Sequence, residues 1–288
     1  MAINRREFAG VVGIAAAACS RKASHDSPAG PPVDAEIVRL ASVPTAVEGN
    51  VLPELIKLFE QRSPYRVQLT TSPRLYDQAR DGAHDLLVSH YGHRDAEQFV
   101  LDGLGEWPRT LFSNQMALIG PPGDPAGIRG LGDAGAAFRR IAATKSKFVL
   151  NEIDGVRYLT EILWHAAGSP DRTGWFVEPN ASKDGAIKIA SELGAYTLWG
   201  LTPFLRLEGL KLEPLVLADP LLQRMMVSIV VKPGGVRRAN TVGATALQTF
   251  LLQPATQALI RTIHYPGKDA VAWVPAGRHN RTEVLPKS

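Results

Sequence analysis

Short apolar runs that alternate with amphipathic segments are the feature that most constrains the fold of this chain. Runs rich in β-branched residues lie at 36–43 and 65–72, and between them residues 51–61 place leucine and isoleucine at helical spacing. A strand is predicted at 84–90, which contains the apolar run Leu86-Leu87-Val88, and a helical pattern at 94–104 follows. Because parallel strands need crossover connections that are usually helical, this alternation predicts a mostly parallel sheet covered by helices.

The same alternation continues to the end of the chain, so the sequence predicts an α/β protein. Further strands are predicted at 115–119, 147–149, 196–199, 215–217 and 225–231. Further helices are predicted at 131–143, 156–167, 183–193, 241–252 and 255–264. The proline and glycine cluster at 120–125 predicts a turn and not a phosphate-binding loop, because no Gly-Lys-Ser/Thr follows it.

The first 18 residues have the pattern of an export signal. Arg5 and Arg6 precede Phe8, and the stretch 9–18 carries no charge. That stretch is far shorter than the ~20 apolar residues that a helix needs to span a bilayer. We therefore interpret residues 1–18 as a signal peptide, and the paired arginines followed by an aromatic residue resemble the twin-arginine export signal.

Cys19 is the only cysteine, and it follows three alanines at the end of this segment. A single thiol cannot form an internal disulfide. Its position resembles a lipobox, in which the cysteine is acylated and becomes the first mature residue. Ala16 departs from that pattern, which usually has a larger aliphatic residue there, and ordinary cleavage after Ala18 is the alternative. Acylation of Cys19 would anchor the protein in a membrane, with residues 19–35 as a flexible tether.

Composition and motifs argue against several classes of function. The net charge is +4, but no run of Lys and Arg is interleaved with aromatic residues, so no nucleic-acid partner is expected. The chain has no Gly-x-Ser-x-Gly elbow and no His-Glu-x-x-His, and we expect neither an enzyme nor a cofactor. His90, His93 and Asp85 make a sparse set for a metal, and because no further ligand is evident we expect no metal site.

Seven short motifs, each weak alone, occur in an order and spacing that make chance agreement improbable. They are Arg39-Leu40-Ala41 with Val51-Leu52-Pro53, Arg80-Asp81-Gly82 with Asp85-Leu86-Leu87-Val88, Asn114, Ile119-Gly120-Pro121 with Asp124-Pro125-Ala126-Gly127-Ile128, Trp164 with Ala166-Ala167-Gly168, Gly194-Ala195-Tyr196-Thr197-Leu198, and Ala218-Asp219-Pro220. On these residues the chain resembles the tungstate-binding periplasmic proteins of ABC importers, over residues 36–265.

The resemblance implies a two-lobed periplasmic-binding-protein-like fold, in which mixed sheets are covered by helices and a hinge joins the lobes. The first lobe would combine residues 36–115 with 229–288, and residues 116–228 would form the second. A small anionic solute, tungstate or molybdate by default, would be clamped between the lobes. A monomer that delivers this solute to an ABC permease in the inner membrane is the function that the resemblance implies.

Two loops of the first lobe are implied to supply hydroxyl donors for the anion. The first strand of the family ends in Thr-Thr-Thr-Ser, and the matching stretch here is Ser42-Val43-Pro44-Thr45. The second family loop, Gly-Thr-Gly, corresponds to Thr71-Ser72-Pro73. The implied ligand-binding residues are therefore Ser42, Thr45, Thr71 and Ser72. Capping of the helix at 51–61 is the alternative role for Ser42 and Thr45.

The middle of the chain departs from the family. The family has Ser-Arg-Gly-Asp before a helix, whereas this chain has Asn151-Glu152-Ile153-Asp154 and lacks the arginine that pairs with the anion. Arg157 would be the substitute cation, and Glu152 and Asp154 would repel a dianion if they faced the cleft. Two hypotheses therefore stay open, namely an oxyanion importer component and a sensor or adaptor that has lost or changed its ligand.

Overall fold

The computed structural model describes residues 36–92, 94–233 and 239–276. The predicted signal peptide, Cys19, the tether and His93 lie outside the described residues. No helix in the described ranges is long and apolar enough to cross a membrane.

The first lobe begins with three parallel strands. β1 (Ile37–Ser42) pairs in parallel with both β2 (Arg66–Thr71) and β3 (Leu86–His90). The helices of this part are α1 (Pro44–Glu48), α2 (Val51–Arg62), α3 (Leu75–Arg80) and α4 (Arg94–Leu101). The leucine and isoleucine spacing that predicts α2 also marks its buried face, which packs in the same core as β1 and β3.

The elements that follow build the second lobe and complete the first. One strand, β4 (Arg109–Gly120), leads into the second lobe. The second lobe then contains α5 (Ala134–Ala143), β5 (Phe148–Val149), α6 (Asp154–Ala166), β6 (Phe176–Val177), α7 (Asp184–Leu193), β7 (Tyr196–Gly200), α8 (Leu201–Leu205) and β8 (Glu213–Val216). The chain ends with β9 (Gln223–Val230), α9 (Thr241–Leu252), α10 (Pro254–Ile260) and β10 (Trp273–Pro275).

One long strand belongs to both lobes. β4 pairs with β9 and β10 as far as Gln115, and with β7 and β8 from Met116 onward. The strand order is β2-β1-β3-β9-β4-β7-β5-β6, with β8 and β10 also paired to β4. Buried side chains between Met116 and Leu222 form the core of the second lobe, and two other clusters form the core of the first. Two lobes whose mixed sheets are covered by helices are thus confirmed.

The chain returns to the first lobe earlier than the sequence indicated. β9 pairs with β3 and β4 in the first sheet, so the division drawn at 228 and 229 falls inside this strand. We now propose that the chain crosses between β8 and β9, where Pro220–Leu222 forms a 3₁₀ turn. The apolar run at 225–231 does not indicate which sheet it joins, because its pairing partners are distant in sequence.

Two motif residues of the resemblance stabilise the first lobe from inside. The buried Arg39 donates from its backbone N–H and from Nε to Asp85 Oδ2, at 2.7 and 3.0 Å. Asp85 is fully buried and also accepts from the backbone N–H of Asn240, at 2.8 Å. One carboxylate therefore connects β1, the start of β3 and the start of α9.

Candidate functional site

The carboxyl ends of the parallel strands in both lobes face the place where β4 passes from one sheet to the other. β3 is antiparallel to β9, and β9 is antiparallel to β4, so β1, β2 and β3 all run in the direction of β4, towards the second lobe. β7 is antiparallel to β4 and ends with Gly200 opposite Met116, and β5 runs parallel to β7. Both therefore run towards the first lobe.

This arrangement locates a cleft without reference to any ligand. In open α/β sheets, ligands bind in the crevice outside the carboxyl ends of the strands. Here two such edges are opposed, and the loops that follow β1, β2, β5 and β7 all border the space between them. We call this space the cleft.

The structure brings Ser42, Thr71 and Ser72 together at the first-lobe edge of the cleft, and Thr45 follows in the first helix after β1. Ser42 ends β1 and Thr71 ends β2, and the two are paired Cα partners. The backbone N–H of Ser72 donates to the Ser42 carbonyl at 3.3 Å. Thr45 lies three residues after the end of β1 and is the second residue of α1. Whether the four residues bind a ligand stays a prediction, but Ser42, Thr71 and Ser72 meet the first requirement, which is that they lie close together.

The four hydroxyl groups differ in how readily they could donate to a ligand. Ser42 is fully buried, and its Oγ donates its single hydrogen to the Val43 carbonyl at 3.0 Å. Ser72 Oγ accepts from the backbone N–H of Arg74 at 3.0 Å, so its own hydrogen remains available. Thr71 is exposed and Thr45 is half-buried. Ser42 would have to rotate its hydroxyl group, whereas Ser72 could donate as it stands.

Helix capping does not explain Ser42 and Thr45. The N-cap of α1 is Val43 and that of α2 is Asn50, and neither helix receives a side-chain hydrogen bond at its cap. The alternative role in capping is therefore wrong. Pro44 takes the first turn of α1, where its missing N–H is no loss.

Arg157 is present at the second-lobe edge but is already paired. It lies on the exposed side of α6, and its Nη1 donates to Glu152 Oε2 at 2.8 Å. The pair neutralises the carboxylate that would otherwise repel an anion. Arg157 would have to break its ion pair with Glu152 before it could bind a ligand, and this would reduce the net gain from binding. Its role as the substitute cation stays a prediction.

Arg224 is a cleft cation that the sequence did not single out. It is the second residue of β9, and its Nη1 and Nη2 lie 3.7 and 4.0 Å from the point that a Cβ on Gly155 would occupy. Gly155 belongs to the first turn of α6 in the second lobe. In the sequence, Arg224 only precedes an apolar strand, and nothing there places it opposite α6. A positive charge at the start of a mostly apolar strand is the signal that the sequence offers.

Several buried polar atoms near the crossing have no hydrogen-bond partner within the described part of the chain. They are Ser113 Oγ, Asn114 Oδ1, Thr197 Oγ1 and Thr202 Oγ1. An unpaired buried polar group costs about 1–3 kcal/mol, so a hydrogen-bonding solute would offset part of this cost for any of these groups that it reached. Thr202 lies in α8 directly after the end of β7, and Asn114 is paired with Arg224.

A buried tyrosine supports the first-lobe edge from behind. The Tyr76 hydroxyl on α3 is hydrogen-bonded to Ser89 Oγ on β3, and both residues are buried. Burial raises the pKa of Tyr76 to about 12. The phenol therefore stays neutral at physiological pH and fixes α3, and with it the Thr71–Ser72 loop, against β3.

Neither a metal nor a nucleotide phosphate has an evident place among the described residues. They contain no group of three or more His, Cys, Asp or Glu that could hold a metal ion. Gly130, Gly132 and Gly135 have the spacing of a dinucleotide fingerprint around the start of α5. Its first N–H groups are taken, because Ala134 N–H donates to Asp219 Oδ2 at 2.7 Å and Ala136 N–H donates to Asp133 Oδ1 at 2.8 Å.

Comparison with known proteins points in the same direction as the geometry. Residues 45–265 match the family described as bacterial extracellular solute-binding protein. A protein of Haloferax volcanii, named as an ABC transporter anion-binding protein, is 30% identical over 231 residues, which cover 77% of this chain and 67% of that protein. The tungstate-binding protein TupA of Peptoclostridium acidaminophilum is 25% identical over 227 residues, 77% of this chain and 79% of that protein.

A solved structure shows the same fold. The tungstate-binding protein TupA from Desulfovibrio alaskensis G20 aligns with a TM-score of 0.69 at 24% identity, over 84% of this chain and 99% of that chain. These relatives are solute-binding transport proteins and not enzymes.

Proposed function

This chain belongs to the family of bacterial extracellular solute-binding proteins, and we propose that it captures a small oxyanion and delivers it to an ABC permease in the inner membrane. Tungstate and molybdate are the default solutes. The observation that carries the proposal is the pair of opposed carboxyl edges, with Ser42, Thr45, Thr71 and Ser72 on one side of the cleft. The names of the relatives support an anion as the solute.

The donors fit an oxyanion better than a cation or an apolar solute. Hydroxyl groups donate hydrogen bonds to anionic oxygens without a change of their own charge. Arginine side chains stand on both sides of the cleft, Arg224 on β9 and Arg157 on α6. The carboxylate of Glu152 is bound to Arg157 and so does not dominate the cleft.

Titration calorimetry of the purified protein with tungstate, molybdate, sulfate and phosphate tests this function. We expect submicromolar binding of tungstate or molybdate, which corresponds to about −8 kcal/mol or stronger. Replacing Ser42 and Thr45 together with Ala should weaken that binding by at least about tenfold, because donors to the charged ligand are lost.

The matched control replaces another serine and threonine pair. Thr144 and Ser146 are hydrogen-bonded to each other at 2.8 Å ahead of β5, at the edge of the second sheet that faces away from the cleft. Their double replacement with Ala should leave binding unchanged. If a folded wild-type protein binds none of the four anions, the importer function is refuted, and a sensor or adaptor with an altered ligand becomes the better hypothesis.

We also propose export by residues 1–18 and membrane anchoring through acylated Cys19, which are supported by the sequence alone. With residues 19–35 as a tether, such an anchor would keep the cleft close to the permease. In a cell fractionation experiment, the wild type should sediment with membranes, and a Cys19→Ala variant should be soluble outside the cytoplasm. Equal membrane association of both forms would contradict acylation at Cys19.

A further inference from the structure

The strand register places Arg224 on the same face of the first sheet as Ser42. Ser42 on β1 is the partner of Val88 on β3, and Val88 is the partner of Ser228 on β9. Paired residues in neighbouring strands direct their side chains to one face, and residues four apart in a strand share that face. Arg224 lies four positions before Ser228, towards the edge where the parallel strands end. Ser42 and Arg224 therefore border the same cleft.

The Arg224 guanidinium has no countercharge in the parts of the chain that the structure describes. Glu152, at the start of the α6 region, is bound to Arg157, and Asp154 beside Gly155 forms no ion pair with Arg224. The surrounding protein lowers the pKa of Arg224 by desolvation, although the side chain stays open to water. A partly desolvated cation without a carboxylate partner attracts an anion more strongly than one in bulk water.

A second polar group stands next to this cation. Asn114 on β4 is paired directly with Arg224, so both side chains emerge from the same face of the sheet. Asn114 is 5% exposed, and its Oδ1 has no partner among the described residues. A half-turn of the amide would present its NH₂ group instead, which is a donor to an anion.

From this geometry we propose that Arg224 is the cation that binds the solute oxyanion and that links the two lobes around it. The inference rests on the proposed function and adds the charge that the hydroxyl groups of the first lobe lack. A planar guanidinium can hold two oxygens of a tetrahedral oxyanion at once. Because Arg224 extends from a first-lobe strand to the first turn of α6, an anion bound to it contacts both lobes.

Calorimetric titration of Arg224→Gln and Arg224→Lys variants with tungstate and molybdate tests the proposal. Arg224→Gln should raise the dissociation constant by about tenfold to a hundredfold, since a charge-assisted hydrogen bond is lost. Arg224→Lys keeps the charge but not the two-pronged geometry, so its affinity should lie between those of the wild type and Arg224→Gln. Thermal melting without ligand should show that both variants fold, because Arg224 is open to solvent.

Arg129→Gln is the control for the loss of one positive charge. Arg129 pairs with Glu213 at 2.9 Å, near the end of β4 that is remote from the crossing. Its replacement should change oxyanion affinity by less than about twofold, because salt screens an exposed charge that lies far from the cleft. A wild type that binds while Arg224→Gln binds equally well overturns this inference alone. A wild type that binds none of the four anions overturns the proposed function and this inference together.

Discussion

At the scale of single residues, Tyr196 shows why one of the motifs of the resemblance is structural. Its hydroxyl donates to Asp124 Oδ1 at 2.7 Å and accepts from the backbone N–H of Ala126 at 2.9 Å. Asp124 Oδ2 accepts from the backbone N–H of Arg129 at 2.8 Å. Two motifs 70 residues apart thus meet in one hydrogen-bonded turn at the outer end of β4. They hold the second lobe together and do not reach the cleft.

The same turn explains a close approach at Gly120. A Cβ at this position would lie 2.4 Å from the Tyr196 ring, so only glycine lets the ring pass and reach Asp124. Burial raises the pKa of Tyr196 well above its usual range. The phenol therefore remains a hydrogen-bond donor at physiological pH.

Asp124 gives the turn a pH dependence whose sign follows from its partners. Burial alone would raise its pKa, but hydrogen bonds from Arg129 N–H and Tyr196 outweigh this and lower it. A lowered pKa in the folded state stabilises the fold above about pH 4, and this contribution is lost as the pH falls further. At pH 7 we expect Asp124→Asn to lower the free energy of unfolding by about 1–3 kcal/mol.

Urea unfolding of both proteins as a function of pH measures this effect. The difference between wild type and Asp124→Asn should shrink as the pH falls below about 4. Glu192→Gln, a change at an exposed carboxylate, serves as the control and should have little effect at any pH. A difference of constant size from pH 7 to about pH 2.5 would show that the ionised carboxylate does not contribute as argued here.

At the scale of elements, the positions of the cleft loops depend on a few buried polar anchors. The Arg39–Asp85 pair sits between β1 and β3, and the N–H of Asn240 brings α9 to the same carboxylate. Removal of one partner from a buried ion pair costs about 3–5 kcal/mol, so these elements are strongly constrained relative to one another. Because β1 is held in this way, the position of Ser42, where the loop after β1 begins, is fixed.

In contrast to β1, which a buried ion pair holds, α6 begins without a side-chain cap. Its N-cap is Ile153, which provides no side-chain hydrogen bond to the first N–H groups of this helix. Asn151, just before it, is buried and accepts from the backbone N–H of Lys183 at 2.9 Å, which fixes the loop but leaves the helix start uncapped. The loop before α6 is therefore fixed, whereas the first turn of α6, which lies near Arg224, has no side-chain cap.

At the scale of the whole molecule, few strands connect the two lobes. β4 passes between the sheets at Gln115 and Met116, and the chain returns in the segment before β9. Each lobe has its own buried core, so the lobes can rotate about these two crossings while both cores stay intact. An anion held by Arg224 and the second lobe would favour the closed arrangement.

Small-angle X-ray scattering tests this closure. At saturating tungstate or molybdate, the radius of gyration of the wild type should decrease, because hinge closure brings the lobes together. For Arg224→Gln at the same anion concentration, the radius of gyration should decrease less, because a smaller fraction of the protein has anion bound. An unchanged radius of gyration for a wild type that calorimetry shows to be saturated would contradict a closing hinge.

The sequence by itself determined the class of this protein and one side of its cleft. The alternation of strand and helix periods is local, so it predicts the α/β class and most elements with little error. The hydroxyl residues at 42, 45, 71 and 72 were predicted from the resemblance, because two stretches of the chain match loops of the family. The parallel pairing of β1 with β2 explains why two such loops lie at one edge of the sheet.

The tertiary structure decided which strand spans both sheets, where the chain returns to the first lobe, and which cation faces the cleft. Each of these depends on pairing between residues far apart in sequence, such as Arg224 with Asn114 and with Gly155 on α6. No local period or spacing encodes such contacts, because they arise only when separate segments pack against each other. For the same reason, the pairing of Arg157 with Glu152 could be seen only after α6 and the loop before it were placed in space.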